Sequence, residues 1–213
     1  PEMILCEKYG EMQKLGAAQA TAAAMTNELL VANIFDYSTS TTDGEGLSTA
    51  GGDALALLST AHPLYKVGGT ISNTLSSWAA LSYTSLTDVI DLMEATQTAA
   101  GMPMALKAKH LIVPRKLKPK AIELLGSEYR PDNADNALNA IKTGWSISPV
   151  VNHFISSQTN WYLQAEEHDL TLQMVKDYSL ERDVDPWNRN ALYLGTLICG
   201  KGFNEGRGMA GSA

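Results

Sequence analysis

The residues best suited to acid–base or metal chemistry in this chain are its four histidines, His62, His110, His153 and His168. Each lies more than ten residues from the next. They form no H-E-x-x-H or H-x-H pair, the spacings that put two imidazoles on one face of a helix or strand. Glu166-Glu167-His168-Asp169 is the one dense run of ligand types. Chain neighbours point in different directions, so this run reads as a solvated turn rather than a metal site. Serine nucleophilic catalysis favours a G-x-S-x-G elbow, and none is present. "GKGFNEGRG", 200–208, lacks the G-K-[ST] core and the following helix of a phosphate loop, so its glycines are expected to let the backbone turn. Asp88/Asp91 and Asp183/Asp185 are read as surface acids. Cys6 and Cys199 match no C-x-x-C pattern and are expected to be reduced, buried thiols. No catalytic, cofactor-binding or metal-binding residue is therefore assigned, no cofactor is expected, and a binding or structural role is favoured over an enzyme.

"STAHPLYKVGGTISN", 59–73, holds the histidine in the most shaped context. Pro63 biases His62 toward extended backbone, and Gly68-Gly69 permit positive φ and a tight reversal. With no base or ligand partner nearby in sequence, the stretch is a poor catalytic motif and reads as a shaped loop. Lys107, Lys109, Arg115, Lys116, Lys118 and Lys120 form the one basic cluster. It reads as a solvated face or as an interface with an acidic neighbouring subunit.

These residues must be positioned by an ordinary packed protein. The chain has 213 residues, 45% hydrophobic and 18% charged, with few aromatics at 7%. That composition supports a sizeable core and fits one large domain or two small ones. A formal charge of −7 argues against wrapping nucleic acid, whose affinity for proteins comes largely from cations on phosphates. No apolar run approaches the ~20 residues of a membrane span, and no secretory signal opens the chain, which fits a cytosolic origin. The sequence starts at Pro1 directly in a helical pattern, so an N-terminal portion is expected to be missing.

From Glu2 to Phe35, apolar residues recur at mostly three- and four-residue intervals around an Ala-rich centre, which predicts one long helix. About 30 residues make a rod of about 45 Å. Gly10 and Gly16 weaken such a helix unless close packing needs them. Residues 36–52 read as loop. A helix is predicted over Thr84–Ala100, a strand over Leu111–Val113 stopped by Pro114, and a helix over Pro119–Leu125. "NALNAIKTG" suggests a short helical piece, and "WSISPVVN" and "NWYLQAE" suggest strands. Residues 170–198 give two alternating runs separated by "ERDVDPWNRN". The class is α+β.

The order of these features, from the long helix through "AHPLY…GGTISN", "AAGMP", "LIVPRKL…AIELLGS", "NALN" and "WYLQAE" to "GFNEGRGMA", resembles tailed-phage major capsid proteins with the Hong Kong 97-type fold. Within them it looks most like the Mu-like major head subunit group. The resemblance covers nearly the whole chain and rests on order and spacing, because each motif is weak alone. It implies a peripheral domain with a long spine helix (2–35) and a β-sheet, and an inserted axial α+β domain. The parts would be 1–80 and 168–213 for the peripheral domain and 81–167 for the axial one, which makes 59–73 a connector between them; His62→Ala is then expected to leave assembly nearly intact and Gly69→Val to impair it. The family's N-terminal arm and extended loop are not found.

The function implied is a major capsid protein of a tailed double-stranded DNA bacteriophage, self-assembling as hexamers and pentamers into an icosahedral shell. Its place would be the virion, with assembly in the host cytoplasm. Its partners would be further copies of itself, with scaffolding, portal or decoration proteins, and it would enclose DNA without sequence-specific binding and touch no membrane. Two alternatives stand beside this reading: an encapsulin-like bacterial shell with protein cargo, and a soluble oligomeric hydrolase using His62 or His153.

Overall fold

The computed structural model describes residues 11–131, 137–185, 187–188 and 191–213. It is a mixed α+β chain that divides into two compact units, Pro1–Val31 with Leu172–Lys201, and Ala32–Thr171 with Gly202–Ala213.

The first unit contains most of helix α1 (Glu11–Asp36) and of strands β6 (Thr171–Val184) and β7 (Ala191–Gly202). Strands β6 and β7 form a two-stranded sheet of their own. The predicted helix is present from Glu11 onward; its first nine residues, 2–10, lie outside the described ones. Gly16 has its packing reason here, since a Cβ on it would sit 3.2 Å from the Leu180 side chain. The Tyr178 hydroxyl donates to Gln19 Oε1 at 3.5 Å, and Gly195 leaves room for the Tyr178 ring. Most of the remaining helix surface in this unit is exposed, including Leu15, Met25 and Leu29.

The second unit is built on a four-stranded sheet in the order β4-β3-β5-β8. Strand β3 (Ala108–Pro114) is parallel to β4 (Ser148–Asn152) and antiparallel to β5 (Trp161–Ala165); β8 (Met209–Ser212) is antiparallel to β5. Apolar β3, β5 and β8 are buried almost throughout, whereas β4 is an exposed edge strand carrying Pro149. Proline on an edge removes a free donor and discourages further pairing.

Helix α2 (Tyr83–Glu94) packs on β5 and β8; helix α3 (Lys118–Gly126) packs on β3 and β4. Leu86, Val89, Ile90 and Met93 form the buried stripe of α2, and Ala121 and Leu124 that of α3. Ser82 and Ser85 close a capping box at the start of α2. A one-turn helix α4 (Ala140–Gly144) is capped by Asn139, whose amide also donates to Leu124 O at 2.7 Å and Ser127 O at 3.0 Å. One side chain thereby starts α4 and satisfies orphan carbonyls at the end of α3.

Several expectations are corrected. The helix predicted over Thr84–Ala100 ends at Glu94, because Thr96 and Thr98 turn the chain into a small hairpin in which Gln97 bridges Pro103. The LIVP strand is longer, reaching back to Ala108. The glycines of 200–208 turn the chain as expected, with Gly208 at φ 83°, and the residues that follow, Met209–Ser212, add strand β8 to the sheet of LIVP. Within the second compact unit, residues 32–80 and 202–213 pack with the four-stranded sheet. The physical cause is that 72–79 and 202–211 hydrogen-bond to β5, β8 and each other, links that no sequence pattern carries.

Candidate functional site

The opening stretch folds as a small hairpin, with β1 (His62–Pro63) antiparallel to β2 (Thr70–Ile71). Gly68 and Gly69 turn it at φ of 75° and 97°, so the tight reversal expected from the glycine pair is present. Its histidine, however, has a partner. His62 Nδ1 donates to Asp53 Oδ2 at 2.7 Å, and both side chains are nearly buried, 5% and 4% exposed. The other Asp53 oxygen accepts from Leu55 N at 3.1 Å. The sequence reading missed this pair because nine residues separate its members, and Ala54 at φ 61° helps bring Asp53 round.

An Asp–His pair is two-thirds of a hydrolytic triad, so its surroundings decide its use. The crevice beside it holds only about 10 Å³ and is lined by Pro63, Tyr65, Glu205, Gly206 and Arg207 with the pair itself. No serine or cysteine lines it, and the volume is that of about one water. Gly206 seals it: a Cβ there would lie 2.7 Å from His62 Nε2 and 2.7 Å from Leu57 O. A substrate has no room at His62, and the arrangement acts as a clamp between the connector and the C-terminal segment.

Asn73 completes the clamp. Its amide donates to Leu57 O at 2.7 Å and Gly206 O at 3.0 Å, and its Oδ1 accepts from Ser59 N at 2.8 Å. Its backbone carbonyl accepts from Gly211 N in β8 at 3.2 Å. A second buried polar centre ties the end of α1 to the sheet: Tyr162 on β5 donates to Phe35 O at 2.6 Å and lies 3.2 Å from the Ser38 hydroxyl. Burial pushes the Tyr162 phenol above its ordinary value near 10, against the lowering effect of the Ser38 hydrogen bond.

The other residues singled out in the sequence are scattered. His153 and His168 are exposed, and His110 lies on β3. Glu166 turns to Lys109, 2.7 Å away, whose hydrogen bond and charge hold the Glu166 carboxyl below the usual range. Among the described residues no group of three or more His, Cys, Asp or Glu could hold a metal ion. Of the cysteines, Cys199 is only partly buried, and Cys6 lies outside the described residues. The basic cluster is divided: Lys109 is taken by Glu166 and Lys120 by Glu123, at 3.2 Å, which leaves Arg115, Lys116 and Lys118 exposed at the start of α3. No helix among the described residues is long and apolar enough to cross a membrane.

The prominent surface features are apolar. On the two-stranded ribbon, Leu172, Met174, Val175, Leu194 and Ile198 are exposed on strands that a two-stranded sheet alone stabilises poorly. Contiguous patches of such side chains mark surfaces that meet another protein.

Comparison with known proteins gives a family and a likeness of fold. The family model described as phage capsid protein matches residues 2–210. The solved capsid of an empty GTA particle is similar over 99% of this chain and 68% of its own, with a TM-score of 0.54 and 11% identity, a likeness of fold alone. The crystal structure of a virus-like particle from Pyrococcus furiosus matches 66% of this chain at 16% identity and a TM-score of 0.41. The chain spans about half, 54%, of that protein's length. No curated protein matches.

Proposed function

Because the chain belongs to the phage capsid protein family, we propose that it is the major head protein of a tailed double-stranded DNA bacteriophage. In this reading it has the Hong Kong 97-type fold of the Mu-like group and assembles as pentamers and hexamers into an icosahedral shell. Residues 1–80 and 168–213 then form the peripheral part and 81–167 the axial part. The observation that carries the reading is the set of exposed apolar side chains on the β6–β7 ribbon in a chain of this family. Burying such a surface drives association at roughly 25 cal/mol per Å², and the same face must serve in rings of five and six.

The work of such a protein is assembly, so its mechanism is interface burial rather than turnover. The sealed Asp53–His62 clamp fits that role better than it fits hydrolysis. Net charge of −7 suits a wall that encloses DNA without gripping it. Its place is the virion, with assembly in the host cytoplasm; scaffolding, portal and decoration proteins are its further partners. Negative-stain microscopy of the purified protein tests the reading. Closed shells or five- and six-membered rings are expected, and a monodisperse small oligomer would overturn it. Double-stranded DNA in particles purified from infected cells is the expected cargo; protein cargo without DNA would turn the reading to an encapsulin-like shell.

A further inference from the structure

Helices α2 and α3 carry charge of the wrong sign for their own dipoles. An α-helix favours acids at its N-terminus and bases at its C-terminus. Helix α2 has no base in its last turn, where Asp91 and Glu94 stand instead, and Asp88 lies one turn earlier at mid-helix. Helix α3 has no acid in its first turn, where Lys118 and Lys120 stand, preceded by Arg115 and Lys116 in the 3₁₀ turn. Surface positions are free to vary, so charges that work against their own helix need another reason.

The two sets lie at opposite ends of one sheet. Helix α2 rests on β5 and β8, and α3 on β3 and β4, in a sheet ordered β4-β3-β5-β8. Asp88 and Asp91, one turn apart on the exposed face of α2, line an open cleft of about 530 Å³ with Thr60, Ser72, Thr74 and Ser76. Neither aspartate makes an ion pair among the described residues, nor do Arg115, Lys116 and Lys118, all exposed. Hydroxyls around two carboxylates suit an ammonium or guanidinium group. Strand pairing at the other end is discouraged by Pro149 on edge strand β4, so a side-chain contact is the better use of that end.

We propose that the acidic cleft of α2 receives the basic turn Arg115–Lys118 of a second copy of this chain. The contact is heterologous, head to tail across the sheet, and repetition of it closes a ring. It deepens the shell reading and rests on it. Each helix then finds on its neighbour the charge that its own dipole lacks, and the contact fixes register and rate of association more than raw affinity.

The test uses the full chain in three forms: wild type, D88K/D91K and K116E/K118E. Each reversed variant alone is expected to raise the protein concentration needed for rings or shells on the order of tenfold, by light scattering and microscopy. An equimolar mixture of the two is expected to form six-membered rings near the wild-type concentration, because opposite faces meet in alternation there; a ring of five cannot alternate and is not expected to be restored. Wild-type assembly should also weaken with added salt. If either reversed variant assembles like wild type, or the mixture does no better than its components, the contact is wrong. A variant that has lost its circular dichroism signal is replaced by D88N/D91N or K116Q/K118Q, which are held to the same outcome at smaller size. Wild-type chains that form neither rings nor shells would sink the shell reading itself, and this contact with it; wild-type shells with indifferent variants would sink the contact alone.

Discussion

Asp53 and His62 meet at 2.7 Å, Oδ2 to Nδ1, inside a crevice too small for a substrate and closed by Gly206. The contact makes the shaped loop 59–73 part of a structural clamp. His62→Ala, expected to leave assembly nearly intact, should still cost stability, because the change strands a buried carboxylate. Losing one partner of a buried pair costs about 3 kcal/mol, or roughly 10 °C in Tm for a chain of this size. Calorimetry should show that loss for His62→Ala and a smaller one for the double change Asp53→Asn/His62→Ala. A single variant that melts with the wild type would contradict the clamp.

Gly206→Ala tests the same clamp from its other side. The added methyl meets His62 Nε2 and the backbone of Leu57 at 2.7 Å each, and the backbone cannot yield cheaply. Overpacking of this kind costs roughly 1–3 kcal/mol. Urea unfolding should place the midpoint clearly below wild type, whereas Gly126→Ala, at an open position, should scarcely move it.

Asn73 donates to two carbonyls through one amide nitrogen. Asn73→Asp keeps the acceptor for Ser59 N but turns a carboxylate oxygen toward Leu57 O and Gly206 O. The two stranded carbonyls and the repulsion should together cost about 3 kcal/mol. Hydrogen exchange would show the result locally, as faster exchange at Ser59 and Gly211, whose amides bond to Asn73. Unchanged protection at both amides would rule the bridge out.

Tyr162 gives a prediction at alkaline pH. Its phenol titrates higher folded than unfolded, so its contribution is fully present below the ordinary value near 10 and is lost as pH rises through the folded value. Wild-type stability should therefore fall above about pH 10 more steeply than that of Tyr162→Phe. At neutral pH the phenylalanine variant should be less stable by about 1 kcal/mol, because Phe35 O loses its donor. Parallel pH profiles for the two proteins would show that Tyr162 is not the responsible group.

Gly69→Val retains its expected direction with a specific cause. Gly69 sits at φ 97° in open space, so the obstacle is backbone strain rather than crowding. A β-branched residue there costs on the order of 1–3 kcal/mol, and Gly69→Asn should be better tolerated than Gly69→Val in thermal unfolding. Equal losses for the two would argue that the positive φ is unimportant.

The sequence by itself determined the elements whose cause is local. The Ala-rich periodicity yields α1 over its described length, the apolar stripe of Leu86, Val89, Ile90 and Met93 yields α2, and Pro114 and Pro119 bracket the step from β3 to α3. Gly68-Gly69 announced their reversal, since positive φ is a property of the residue itself. Tertiary structure alone decided what depends on distant parts of the chain. It made β8 from a glycine-dense tail, because Gly206 and Gly211 let that tail pass within van der Waals reach of His62 and Trp161. It joined Asp53 to His62 and Asn73 to Gly206, across 9 and 133 residues of chain. It also divided one basic cluster into paired lysines and an exposed turn. Periodicity and turn chemistry act within a few residues, whereas burial and hydrogen-bond satisfaction are settled only when segments far apart in sequence compete for the same space.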